Sequence, residues 1–233
     1  MTQTSFYHRL LAETEAERRV FQSIPLIRRA LAGDVSLALY RRYLAEAYHH
    51  VRFTCPLLAA ALARCQARDA EYRAALLDYL EEERGHELWI LDDIRALGGD
   101  ADAVAAGQGG PAVRIMVGYA YYMIEHISPY ALLGMVHVLE GMSVALADKA
   151  AAAIARAAAA QTSGPAPGGG FSYLVSHGGL DQDHVAFFER LVNRLPDAAA
   201  EAAVIDAARI MYRLFGDVFR GLAESEEALG HAA

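Results

Sequence analysis

Apolar residues recur at intervals of three and four along almost the whole chain, and the alternating apolar and polar runs typical of strands are missing from the sequence. Ala and other strong helix formers are abundant. This pattern predicts an all-α protein, a bundle of about seven helices that are each roughly 15 to 30 residues long. Since neither an internal repeat nor a long linker divides the chain, we expect one domain over residues 1–233.

Proline, glycine and capping residues set the expected helix boundaries. Asp34 or Ser36 can cap the second helix, and the pair Gly98 and Gly99 ends the third. Residues 100–110 are predicted to be a linker, 161–170 a flexible loop, and the tail after 224 a frayed end. The predicted helices cover about residues 5–31 with a break at Pro25, 36–64 with a kink near Pro56, 69–98, 111–127, 129–159, 171–195 and 198–224.

Composition and charge narrow the class of protein. With 55% apolar residues the chain can build a core, and 29 acidic against 21 basic residues give a net charge of −8, which argues against nucleic-acid binding. The N-terminus lacks the apolar stretch of a secretory signal, and charged residues and a proline interrupt the low-charge segment 115–146. We therefore expect a soluble cytoplasmic protein without membrane contact, whose Cys55 and Cys65 are buried thiols in a reducing compartment.

The most specific candidate for chemistry is the segment that contains His177, Asp181 and His184. On a helix these three positions share one face, and two imidazoles with one carboxylate suit iron, manganese or zinc. Gly178 and Gly179 are poor helix residues between the candidate ligands. Close packing, or a helix that becomes ordered when it binds metal, would explain them.

Two further segments carry candidate metal ligands. Glu83 and His86 form a Glu-x-x-His motif, the spacing that places two ligands on one helix of di-iron carboxylate bundles, and Glu82 is an alternative to Glu83. Glu140 lies in an apolar segment without a neighbouring Lys or Arg, so its burial would cost several kcal/mol unless it is paired or metal-bound. His137, one turn earlier, is the candidate to orient Glu140. A solvated face for Glu83 and His86 and an arginine partner for Glu140 are the alternatives.

Other histidine and aromatic residues carry weaker signals. His49 and His50 are adjacent, so they point to different faces of a helix and at most one should be internal. The tyrosine and phenylalanine residues are interpreted mainly as core, with a substrate pocket as the alternative for some of them. The set comprises Tyr40, Tyr43, Tyr48, Phe53, Tyr119, Tyr121 and Tyr122.

The three candidate segments together resemble the heme-oxygenase-like di-metal oxidases and oxygenases, which share their fold with the TenA thiaminases, PqqC and the chlamydial CADD protein. The resemblance covers most of the chain. It lies in an early Glu/His helix, a mid-chain Glu and the motif His-x3-Asp-x2-His. It implies a heme-oxygenase-like bundle with the metal ligands Glu83, His86, Glu140, His177, Asp181 and His184, among which Glu140 is our choice for a bridging carboxylate.

The resemblance also implies an activity. It points to a non-heme centre of two iron ions, Fe/Fe or Mn/Fe, that uses O2 to oxidise a small amino-acid-like or fatty-acid-like substrate, in a protein that forms a homodimer. The competing interpretations are a TenA-like or PqqC-like protein that binds a small molecule without metal, and a regulatory helical module. His8 is a weak candidate for a heme ligand, and the lack of a cysteine after Cys65 disfavours thiaminase activity.

Overall fold

The computed structural model describes residues 5–161 and 169–231, and the side chains of residues 161, 177–184 and 229–231 lie outside that description. All regular structure in the described ranges is helical, as predicted. Two 3₁₀ turns, Ala67–Asp69 and Pro129–Ala131, and one π-helical turn, Met123–Ile127, join some of the helices. The α-helices are α1 Phe6–Glu13, α2 Glu15–Gln22, α3 Pro25–Ala32, α4 Leu37–Val51, α5 Thr54–Arg64, α6 Ala70–Glu83, α7 His86–Ala96, α8 Ala101–Ala106, α9 Pro111–Tyr122, α10 Leu132–Gln161, α11 Ser172–Val192 and α12 Ala198–His231.

The α-helices in the described ranges are more numerous than the seven expected, and most of those before α10 are shorter than predicted. The first predicted helix is divided at Thr14 as well as before Pro25, because the buried Thr14 hydroxyl donates a 2.8 Å hydrogen bond to the Leu10 carbonyl and competes with the helical backbone pattern. The second divides at Arg52 and Phe53 rather than bending at Pro56. The expected linker contains the short α8, and α12 continues beyond the expected end at 224 to His231.

Helix α10 runs through the middle of the bundle and packs against α3, α11 and α12. Gly134 permits its closest crossing, because a Cβ atom there would lie 2.6 Å from the Val204 carbonyl oxygen of α12. The stretch Pro129–Ala160 is long and apolar enough to span a membrane, but 56% of its most apolar window is buried inside the protein. It therefore behaves as a core helix of the bundle.

The predicted helix over residues 69–98 is interrupted where the Glu-x-x-His motif lies. Helix α6 ends at Glu83, Gly85 adopts the left-handed conformation with φ +94°, and α7 begins at His86. Glycine adopts this conformation without a steric penalty, so Gly85 was the local signal for the break. The two motif residues thus come from two helices and not from one, which corrects our expectation.

A buried carboxylate fixes the start of α11 against α7. Asp93 is only 2% exposed. Its Oδ1 accepts hydrogen bonds from Ser172 N at 3.0 Å and Ser172 Oγ at 2.7 Å, and its Oδ2 accepts one from Tyr173 N at 2.8 Å. These bonds satisfy amide groups at the helix N-terminus that have no partner within the helix. Asp93 therefore links the helix of His86 to the helix that carries the segment 177–184.

Candidate functional site

A cavity of about 90 Å³, the smaller of two described here, lies between α4, α5, α6, α10 and the start of α11. It brings together two predicted ligands, Glu83 at the end of α6 and Glu140 in the middle of α10. Most of the remaining wall is apolar. The polar residues in the wall are His50, Thr54, Tyr79, Glu83, Glu140, Ser143 and Tyr173.

Glu83 and His86 are both buried, with exposed fractions of 8% and 5%. His86 Nδ1 lies 3.2 Å from Glu83 Oε2, and the Trp89 ring stacks on the imidazole with a centroid distance of 4.2 Å. His86 itself lies next to Glu83 and outside the described lining of the smaller cavity. Glu82, the alternative to Glu83, is exposed. Glu83 and His86 therefore do not lie on a solvent-exposed helix face, which was the alternative interpretation of the motif.

Tyr79 is a site residue that the sequence reasoning missed. Burial raises the pKa of its hydroxyl well above the ordinary value, and the charges of Glu140, Glu83 and Glu82, together with a hydrogen bond to Glu140, raise it further. The hydroxyl consequently stays protonated at neutral pH, beside both carboxylates of the cavity. Tyr79 precedes Glu83 by one helical turn, and this spacing was the available signal.

His50 is a second missed residue. Both His49 and His50 are buried, with exposed fractions of 5% and 4%, so the expectation that at most one is internal is wrong. His49 packs against the backbone at Gly109, because a Cβ atom added to Gly109 would lie 2.7 Å from the Cβ atom of His49. His50 lines the smaller cavity and its Nδ1 lies 3.2 Å from the Glu46 carbonyl oxygen. Helix α4 is covered on more than one side, which the sequence pattern did not reveal.

His137, the residue expected to orient Glu140, contacts other groups. Its Nε2 lies 3.2 Å from the Thr14 hydroxyl, and its ring packs against Phe188 and Tyr212. It is not among the residues that line the smaller cavity. Burial and, to a smaller extent, the charge of Arg18 together lower the pKa of His137 to about 4. The residue is thus a neutral, buried partner of Thr14.

The predicted ligands His177, Asp181 and His184 have side chains that lie outside the described residues. The helix that carries them, α11, contacts the site on both sides of this segment. Tyr173 lines the smaller cavity, and the Phe187 ring meets the Tyr79 ring edge-on at a centroid distance of 5.2 Å. Where side chains are described, no group of three or more His, Cys, Asp or Glu residues is arranged to hold a metal ion.

The donor chemistry around the smaller cavity fits iron as part of a larger ligand set. Two carboxylates, Glu83 and Glu140, face one cavity, and an imidazole, His86, lies beside one of them. Carboxylate oxygens and imidazole nitrogens are the donors that non-heme iron uses in proteins.

A larger cavity of about 130 Å³ adjoins the first. Four residues line both cavities: His50, Leu139, Ser143 and Tyr173. Its other wall residues come mainly from α2, α3, α4, α10, α11 and α12 and are predominantly aliphatic and aromatic. The site therefore combines an acidic compartment with an adjoining apolar one.

The chain is similar to known proteins over most of its length. A family model described as "Iron-containing redox enzyme" matches residues 41–216. A comparison with curated proteins gave no match.

Solved structures with the same fold include a heme-oxygenase-like domain of unknown function from Shewanella denitrificans, with 18% identity, a TM-score of 0.85, and coverage of 100% of this chain and 97% of that one. Heme oxygenase-2 from Synechocystis matches with 19% identity, a TM-score of 0.75, and coverage of 97% and 88%. A TenA homologue from Pseudomonas syringae matches with 14% identity, a TM-score of 0.75, and coverage of 94% and 93%. At these identities the likeness establishes the fold alone, and it confirms the predicted heme-oxygenase-like bundle.

Proposed function

The chain belongs to the family of iron-containing redox enzymes, and from this premise we propose that it is a non-heme di-iron oxidase or oxygenase that uses O2 to oxidise a small organic substrate. The observation that carries the proposal is the convergence of Glu83 and Glu140 on one buried cavity, with His86 beside Glu83. Glu83 ends α6 and His86 begins the next helix, whereas Glu140 lies on α10, more than 50 residues further along the chain.

In this proposal Glu83, His86 and Glu140 hold iron together with His177, Asp181 and His184. Two features of α11 support the second group. Tyr173 lines the cavity and Phe187 contacts Tyr79, and the intervals from Tyr173 to the three ligands are those that recur on one face of a helix. Bound iron would supply the electrons and the coordination position for O2.

The remaining residues of the site hold the carboxylates and limit access of water. The Tyr79 hydroxyl is protonated and hydrogen-bonds to Glu140, so it restrains that carboxylate. Trp89 covers one face of the His86 ring. Leu57, Met135 and other apolar residues form the rest of the wall, which keeps water away from a reactive oxidant.

Two alternative activities of this fold find less support. His8, the candidate heme ligand, is exposed and its Nδ1 lies 2.7 Å from the Ser5 hydroxyl, so it offers no buried axial ligand. Burial raises the pKa of Cys65 to about 11 and also raises that of Cys55. Neither cysteine is therefore a ready thiolate nucleophile of the kind a thiaminase uses.

Anaerobic loading with Fe(II), followed by metal analysis, tests the proposal. We expect about two iron ions per chain, and we expect Glu83→Gln, Glu140→Gln and His184→Ala to lose most of them. Glu82→Gln is the matched control, because Glu82 is the exposed neighbour of Glu83, and it should keep its iron. O2 consumption that depends on added Fe(II) is the companion measurement. Full iron content in all three site variants would refute the proposal.

A protein that binds no iron but binds small molecules would instead support the alternative of a metal-free TenA-like or PqqC-like protein. The larger cavity is the observation that favours this second candidate, because it can hold a ligand without metal. Calorimetric titrations of the apo-protein and of the iron-loaded protein distinguish the two functions.

A further inference from the structure

We propose that the larger cavity binds the uncharged, apolar part of the substrate, an alkyl chain or aromatic ring of about six carbon atoms, while the end to be oxidised lies in the smaller cavity beside Glu83 and Glu140. This inference rests on the proposed function in one respect, because only that function makes the bound molecule a substrate. The binding property itself does not depend on iron.

The walls of the larger cavity carry the first part of the argument. None of the described residues that line it is an Asp, Glu, Lys or Arg. The polar groups present are three tyrosine hydroxyls, one serine and one histidine. Representative apolar residues from four helices are Phe21, Leu39, Met142, Ile154, Phe215 and Leu222.

Tyr40 and Tyr43 do not add charge to this wall. Burial raises the pKa of Tyr43 to about 12, and burial is also the main cause that raises the pKa of Tyr40. Both hydroxyls therefore remain neutral at physiological pH. The Tyr40 ring stacks between Tyr43 and Phe171, with centroid distances of 6.2 and 5.0 Å. The result is a rigid aromatic side to the cavity.

The lack of charged residues in the described walls narrows the amino-acid-like and fatty-acid-like substrates that the family resemblance implies. A substrate ammonium, guanidinium or carboxylate in the larger cavity would lose its hydration without gaining an oppositely charged partner from the described walls. An apolar group would lose only unfavourable contact with water. The larger cavity therefore favours a hydrocarbon group over the charged side chain of an amino acid such as lysine or arginine.

The size of the group follows from the cavity volume. An engineered cavity of about 150 Å³ in another protein, lined by similar aliphatic and aromatic residues, stays dry and binds benzene. The present cavity measures about 130 Å³. It therefore suits a group of about six carbon atoms.

Helix α10 forms part of the wall of both cavities. Residues 132–143 of this helix contribute to the smaller cavity and residues 139–154 to the larger one, and Leu139 and Ser143 belong to both. A helix rises about 1.5 Å per residue, so the two compartments lie one after the other along the helix axis. An elongated molecule could place its apolar end beside Ala147 and its other end beside Glu140.

The test uses the metal-free full-length protein and two probes of equal length, hexan-1-ol and 1,6-diaminohexane. Binding is measured by isothermal titration calorimetry and by saturation-transfer NMR. Ala147→Phe fills the larger cavity, because Ala147 is a buried part of its wall, and Ala150→Leu is a milder filling variant if the first does not fold. Ala152→Phe, on the exposed side of the same helix, is the control.

We expect hexan-1-ol to bind saturably to the wild type and to Ala152→Phe, and at least tenfold more weakly to the folded filling variant. The diamine should not compete with it. Absence of hexan-1-ol binding in the wild type, unchanged affinity in the filling variant, or equal binding of the diamine would overturn the inference. Iron content is measured separately. A protein without an iron site would therefore leave the hexan-1-ol result valid, and a protein that does not bind hexan-1-ol would leave the iron result valid.

Discussion

Replacing Asp93 should both destabilise the protein and loosen the start of α11. The carboxylate accepts three hydrogen bonds, two from Ser172 and one from Tyr173, and it is almost completely buried. Asp93→Ala would leave the two backbone amides and the Ser172 hydroxyl without this acceptor. Asp93→Asn keeps one oxygen and should lose part of the same interaction.

The magnitude follows from the kind of bond. Hydrogen bonds to a charged group contribute about 1.5–3 kcal/mol each, while loss of an N-cap costs about 0.5–2 kcal/mol in total. Because Tyr173 is buried but Ser172 is exposed, we expect Asp93→Ala to lower the free energy of unfolding by about 3–4 kcal/mol. Asp93→Asn should lower it by about half as much.

Urea unfolding measures this loss, and amide hydrogen exchange locates it. Asp92→Ala is the control, since Asp92 is exposed and its ion pair with Arg95 has a length of 3.0 Å between side chains that are 71% and 51% exposed. The control should change stability by less than about 1 kcal/mol. We expect faster exchange in α11 than in α12 for Asp93→Ala. Equal stability losses for Asp93→Ala and the control Asp92→Ala would refute the reasoning. Faster exchange spread evenly over the bundle in Asp93→Ala would also refute it.

Three further predictions concern single positions. Gly134→Ala should destabilise the protein by about 1–3 kcal/mol in thermal unfolding because of the contact with the α12 backbone, whereas Gly141→Ala, with open space around it on the same helix, should stabilise it slightly. Gly85→Ala should cost about 1–2 kcal/mol in urea unfolding through its φ of +94°, and no change would contradict the strain argument. The pKa of His137 is about 4 in the folded protein and about 6.5 in the unfolded chain, so the free energy of unfolding should fall on the order of 3 kcal/mol as the pH drops from 6.5 towards 4. His137→Gln should remove this pH dependence. A variant with the pH profile of the wild type would contradict the assignment to His137.

Local signals predicted several parts of the fold correctly. Ser36 caps α4 through a hydrogen bond from Leu39 N, Pro111 begins α9, and Gly98 follows the end of α7 in a left-handed conformation. Each of these boundaries depends on one residue and its immediate neighbours. The break at Gly85 was missed because the helical periodicity of apolar residues continues through it. The division at Thr14 was missed because threonine also occurs within continuous helices, and the bond from its hydroxyl to the Leu10 carbonyl is visible only in the structure.

The candidate site divides in the same way. The residue types and spacing drew attention to Glu83, His86 and Glu140, and the structure buries the first two and brings Glu83 and Glu140 to one cavity. Tyr79 and His50 were missed because their membership of the site depends on how α4 and α6 cross α10. A crossing of helices is a property of packing between distant segments, and periodicity within one segment does not contain it.

The sequence of α10 explains why an acidic and an apolar compartment can lie side by side. Leu139 and Ser143 are four residues apart and therefore share one face, which both cavities use. Glu140 and Met142 lie to opposite sides of that face, because two residues correspond to a rotation of about 200°. Glu140 lines only the smaller cavity and Met142 only the larger one. One turn of a single helix, residues 139–143, thus borders both the proposed site of oxidation and the proposed site of apolar binding. The part of a bound substrate nearest Leu139 and Ser143 is therefore the part that would lie closest to the carboxylates.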